Sequence, residues 1–140
     1  MGRRPFLFAT PGGSVNLKTG ELRPARPEDY CSKQATVAPA EGEPVLWLKF
    51  LKKAFKGNAD IIAFLQRWCG YCLTGDISEH CFLFLYGSGR NGKGVFCRIL
   101  LHILGDYANT SPIEMFLESK QDRHPTEEAR LHKMRSGNFL

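Results

Sequence analysis

Apolar residues recur along this chain in two rhythms. Over residues 44–56, Leu46, Trp47, Phe50, Leu51, Ala54 and Phe55 fall one, three or four apart, the spacing that lines one face of a helix. Pro44 suits a first turn and Gly57 a C-terminal cap, so a helix is expected between them. Asn58 is placed to cap a second helix over 59–73, which Gly75 stops. Ile61, Leu65, Trp68 and Cys72 form one stripe of it, with Ile62, Phe64 and Cys69 alongside. A third helix is expected over 95–104, closed by Gly105. The unbroken apolar run at 81–86 reads instead as a buried strand. Near the start, Val15-Asn16-Leu17 and Glu21-Leu22-Arg23 flank Lys18-Thr19-Gly20, the pattern of a hairpin. Residues 34–43, rich in Ala, Pro, Glu and Gly, read as a linker. Short helices are expected over 113–118 and 125–134, and 135–140 as a frayed end.

The glycines after the apolar run change the picture. Gly87-Ser88-Gly89-Arg90-Asn91-Gly92-Lys93 fits G-x-x-x-x-G-K, a phosphate-binding loop between a strand and a helix. A triphosphate carries dense charge and many acceptor oxygens. Successive backbone N–H groups wrap it where no Cβ blocks the approach, as at Gly87, Gly89 and Gly92. The following helix aims its free N–H groups and positive dipole end at the same anion. Lys93 adds a full charge, expected near the β- and γ-phosphates of ATP and assigned the catalytic role. Ser88, Arg90 and Asn91 complete the loop; for Arg90, phosphate contact and solvent exposure both stay open. Gly94 stands where the pattern wants Ser or Thr, so the usual hydroxyl ligand for Mg²⁺ is missing and weaker Mg²⁺ binding, through the nucleotide, is expected. No residue is assigned as a direct metal ligand. Gly87, Gly89 and Gly92 also fit G-x-G-x-x-G, but Asp106 lies in a turn rather than at the strand end a dinucleotide site requires.

Composition sets outer bounds. The length, 140 residues, suits one ordinary domain or parts of two. A net charge of +5 points modestly to a polyanionic partner. No apolar run is long enough to span a membrane, and Phe6-Leu7-Phe8-Ala9 after Arg3 and Arg4 is too short for a secretory signal. A cytoplasmic location is therefore expected, with the five cysteines reduced.

Several clusters admit two readings. Trp68-Cys69-Gly70-Tyr71-Cys72 resembles a redox motif superficially, but both thiols fall late in a helix, on its apolar stripe, which favours core packing. Cys69, Cys72, His80 and Cys81 have zinc-ligand chemistry, yet adjacent residues on a strand face opposite ways. Lys49, Lys52, Lys53 and Lys56 form a basic stripe opposite the apolar face of the first helix: a solvated face, or a contact for DNA phosphates. His102 and His132 read as ordinary helical positions.

The motifs together carry a resemblance. Thr10-Pro11-Gly12-Gly13, Val15 to Pro24, Pro27-Glu28-Asp29-Tyr30, Phe64-Leu65-Gln66-Arg67, Gly70-Tyr71, Leu73-Thr74-Gly75, Glu79-His80, Leu85-Tyr86-Gly87, Asn91-Gly92-Lys93, Leu104-Gly105-Asp106-Tyr107 and 122–126 (in which Arg123 and His124 match) run in the order of the phage and plasmid DNA primase–helicases. The chain resembles the N-terminal part of the helicase region of that family, the superfamily 3 helicases. The resemblance implies an α/β fold class: a small helical domain with an N-terminal hairpin, followed by the start of a P-loop, AAA+-like ATPase domain with a parallel sheet, truncated. The segments would be a strand and hairpin region at 1–33, the linker at 34–43, the helical domain at 44–75 and the partial P-loop domain at 76–140. Family members form homo-oligomeric rings and translocate on DNA, single-stranded in this expectation, using ATP. The family's later acidic motif, Asn sensor, DNA-contacting hairpin and arginine finger find no match here, and Glu127 and Glu128 are weak substitutes. A fragment of an ATP-dependent DNA helicase with negligible turnover alone is therefore expected. The alternative is a non-enzymatic subunit or interaction module that joins an intact ring or binds DNA.

Overall fold

The computed structural model describes residues 6–76 and 78–111. The expected helices at 113–118 and 125–134, Arg123, His124, Glu127, Glu128, His132 and the end at 135–140 lie outside the described residues.

The chain opens with a three-stranded antiparallel sheet. Strand β1 (Leu7–Thr10) pairs with β2 (Gly13–Asn16), and β2 with the short β3 (Leu22–Arg23). The hairpin forms where expected: Ser14 lies opposite Arg23 and Val15 opposite Leu22. Its anchor is Asp29, at the end of a single 3-10 turn (Pro27–Asp29). The Asp29 carboxylate accepts from both guanidinium nitrogens of Arg23 at 3.1 and 2.6 Å, from Ser14 Oγ at 2.9 Å and from the Arg26 backbone N–H at 3.0 Å. With so many donors to the charged form, led by Arg23, its pKa lies well below the ordinary carboxylate range.

Helices α1 (Val45–Ala54), α2 (Ala59–Leu73) and α3 (Lys93–Leu104) follow. Asn58 caps α2 as its sequence position predicts, its Oδ1 accepting from the Ile61 N–H at 3.1 Å. Helix α3 begins two residues earlier than expected, at Lys93 itself. The apolar faces of the three helices meet in one cluster: Leu51 from α1, Leu65 from α2 and Phe96 from α3, with Trp47, Phe50, Ile62 and Leu100 around them. The Phe96 ring stacks on Trp47 at 5.7 Å and meets Phe55 edge-on at 6.3 Å.

A second cluster ties the far end of α3 to the sheet. Phe8, Ala35, Leu104 and Tyr107 are buried together, and the rings of Phe8 and Tyr107 stack at 4.7 Å. The Tyr107 hydroxyl accepts from the Ala9 N–H at 3.1 Å and donates to the Lys33 carbonyl at 2.9 Å. The stretch that reads as a linker begins by docking here. Thr36 N–H donates to the Ile103 carbonyl, Asp106 N–H to the Gln34 carbonyl, and Gln34 N–H to the Asp106 carboxylate, all at 3.1 Å. Gly105 sits between them at φ 54°, and a Cβ there would meet Thr36 Oγ1 at 2.8 Å and the Gln34 carbonyl at 2.9 Å.

One expectation needs correction. The run at 81–86 forms no strand, and no parallel sheet exists among the described residues. A strand needs a neighbouring strand to take its N–H and C=O groups, and the described residues provide none beside 81–86. The segment stays extended and splits by alternation. Leu83 and Leu85 pack against the three-helix cluster, while Phe82, Phe84 and Tyr86 are exposed.

Candidate functional site

The segment 81–86 delivers the chain to the start of α3, and the glycine-rich loop makes the join. Gly87, Ser88, Gly89, Arg90 and Asn91 are exposed, Gly92 and Lys93 half-buried, and Gly94 exposed on the first turn of the helix. Gly92, the N-cap of α3, adopts φ 86°, and a Cβ there would come within 3.2 Å of both Phe50 and Ala54. Only a glycine lets the loop turn this sharply and lie this close to α1. Arg90 also takes a left-handed backbone, at φ 62°. The sequence pattern points to the loop and to Lys93. It does not reveal that α1 supports the loop, because Phe50 and Ala54 look like ordinary members of an amphipathic face.

Among the described residues no side chain caps α3, which leaves its first N–H groups for an acceptor from outside the loop. The Lys93 side chain turns back across the loop. Its ammonium donates to Asn91 Oδ1 at 2.6 Å, to the Gly87 carbonyl at 3.1 Å and to the Ser88 carbonyl at 3.4 Å. An ammonium has three N–H donors, and three oxygens meet it here. A full positive charge, an uncapped helix N-terminus and exposed glycine backbone thus gather in one place. This combination attracts an anion: the charge and the helix dipole act together, and no Cβ shields the backbone donors. At Gly94 a Cβ would meet nothing within 4 Å, so a serine side chain fits the space its absence leaves.

The two cysteines of α2 behave as core. Cys72 is buried and Cys69 packs against the three-helix cluster. Burial pushes the Cys69 thiol up to about 11 and the Cys72 thiol up to about 12, the reverse of what thiolate chemistry needs. Trp68, on the buried side of α2, has its indole N–H buried without a hydrogen-bond partner among the described residues. Among the described residues no three His, Cys, Asp or Glu side chains gather as a metal site. His80, exposed at φ 45°, does not join Cys69 and Cys72 in one. No helix of the described residues is long and apolar enough to cross a membrane.

Residues 1–56, which contain the sheet, its Asp29 anchor and α1, match the family model described as "D5 N terminal like". The chain is also 27% identical over 120 residues to a protein of Acanthamoeba polyphaga mimivirus named "Putative helicase L207/L206". That match covers 82% of this chain and 12% of the viral protein, so the chain spans a small part of that relative's length. The two matches agree in direction: the first part of the chain is similar to the family described as "D5 N terminal like", and most of the chain to part of a viral protein named as a helicase.

Proposed function

We propose that this chain supplies the phosphate-binding loop of an ATP-dependent DNA helicase used in phage-type DNA replication. Gly87, Ser88, Gly89, Arg90, Asn91, Gly92, Lys93 and Gly94 form the loop, and Lys93 is the cation that meets the terminal phosphates. ATP bound there would bring Mg²⁺ with it and supply the phosphoanhydride that powers translocation. The chain's own contribution is to hold the phosphates: exposed backbone at 87–91, the start of α3 at Gly92, and the Lys93 ammonium. Gly94 offers no metal ligand, so the ion would rest on the nucleotide and water. A homo-oligomeric ring and a single-stranded DNA track complete the proposal for the assembled helicase.

The observation that carries this reading is the position of the Lys93 ammonium, over the loop carbonyls at the uncapped N-terminus of α3. Titration with a fluorescent ATP analogue tests it. The parent is expected to bind with Mg²⁺, and Lys93→Ala to weaken binding about ten- to a hundredfold, the worth of a charge-assisted hydrogen bond. Equal binding by both proteins contradicts the assignment. Gly94→Ser is expected to raise the affinity for Mg-ATP relative to ATP in chelator. No change would argue against a metal beside residue 94.

A second reading, a non-enzymatic module that joins an intact ring, draws on the extended segment with Phe82, Phe84 and Tyr86 in solvent. Such a segment suits addition to a partner's sheet. Co-purification of this chain with an intact homologous helicase, lost on Phe84→Asp, would support that reading over the first.

A further inference from the structure

We infer that the outer face of α1 is a track for the phosphate backbone of single-stranded nucleic acid. Residues 45–56 carry Lys49, Lys52, Lys53 and Lys56 and no acidic residue. All four lysines are exposed, the first three on α1 and the fourth in the turn after it. Among the described residues none of them forms a salt bridge. Lysines three and four apart stand about 5–6 Å from one another along a helix. A row of cations so spaced matches a linear polyanion better than a compact one such as a triphosphate.

Phe50, which follows Lys49, and Ala54, which follows Lys53, are the residues against which Gly92 packs. The lysine row and the phosphate loop therefore use different sides of α1, the loop resting on Phe50 and Ala54 and the lysines facing outward. The opposite face of α1 is committed: Trp47, Phe50 and Leu51 are in the three-helix cluster. A membrane-surface helix needs its apolar face free for the bilayer, which this packing denies. The lysines near the C-terminus of α1 also suit its dipole, but Lys49 and Lys56 lie outside that last turn. The inference deepens the DNA reading above by naming a surface for it, and it stands apart from Lys93.

Fluorescence anisotropy of a labelled oligothymidylate, titrated at several salt concentrations, is the test. For the parent, log K is expected to fall with log salt. Combined Lys49→Gln, Lys52→Gln, Lys53→Gln and Lys56→Gln should flatten the slope by about 3, since each neutralised phosphate of a single strand adds about 0.7 to it. Lys18→Gln with Arg26→Gln removes charge from the sheet end and is expected to leave the slope unchanged. Lys93→Ala should weaken nucleotide binding and retain the oligonucleotide, which separates this inference from the nucleotide assignment. An unchanged slope in the quadruple variant overturns it. So does an equal loss per charge in the sheet variant, or parent binding to phosphatidylserine vesicles without binding to the oligonucleotide. An unaltered thermal midpoint in the quadruple variant is expected and shows that the fold survives.

Discussion

The two ends of helix α3 are built to opposite rules. At its C-terminal end Leu104 is buried, the Tyr107 hydroxyl has both a donor and an acceptor, and Gly105 is enclosed by Gln34 and Thr36. At its N-terminal end no side chain caps the helix, the loop is exposed, and Lys93 finds its partners among its own loop's oxygens. One helix thus carries a satisfied, sheet-anchored end and an end whose polar groups are left for something else. Polar groups buried in a fold are normally paired, whereas binding loops come from the least stabilised parts of a structure. On the function proposed above, the difference separates what supports the molecule from what would bind the phosphates.

Substitutions can break that contrast, beginning with the side chain on which the whole helix rests. Phe96 is only 1% exposed and holds α3 against α1 and α2. Phe96→Ala is expected to cost about 3–5 kcal/mol in a urea unfolding curve and to abolish nucleotide binding with the fold. A loss below about 1 kcal/mol would mean that the three helices do not share one core.

At the sheet end, Asp29→Asn should lower the thermal midpoint and leave the loop's chemistry alone. The sign of its pH dependence follows from the depressed folded-state pKa. The charged carboxylate stabilises the fold above the ordinary aspartate value, and that stability is lost as the pH falls below about 4 toward the folded pKa. The parent should therefore lose stability below about pH 4 more steeply than Asp29→Asn, by thermal unfolding at a series of pH values from about 5 down to 2. Parallel curves would contradict the Arg23–Asp29 anchor.

Tyr107→Phe keeps the ring stack on Phe8 and removes two hydrogen bonds, with an expected cost of about 1–3 kcal/mol. Because the change sits at the far end of α3, ATP-analogue affinity should stay within about twofold of the parent. A larger drop in affinity would show that the two ends are coupled rather than separate. The smallest stability effect is expected for Lys93→Ala without nucleotide, within about 0.5 kcal/mol, since the bonds it deletes are exposed.

Much of this division was legible in the residues, and the limits have physical causes. The helices were readable because apolar spacing and caps are local: Asn58, Gly57 and Gly105 mark their ends from within one turn. The hairpin at Lys18-Thr19-Gly20 and the loop at 87–93 are local signals too. The clasp between 33–36 and 103–107 was not, because its bonds join residues some seventy positions apart with no shared pattern. The Arg23–Asp29–Ser14 anchor has the same character on a shorter span. The run at 81–86 misled for another reason. Its composition is that of a buried strand, but composition cannot provide the neighbouring strands that would complete it, and only Leu83 and Leu85 turn inward.

Amide hydrogen exchange with and without Mg-ATP tests the central claim most directly. If the N-terminal end of α3 is the phosphate site and the sheet is its support, nucleotide should slow exchange across residues 87–97 and leave residues 7–16 as they were, and Lys93→Ala should remove the effect. No protection at 87–97 in the parent, or equal protection in Lys93→Ala, would contradict the account.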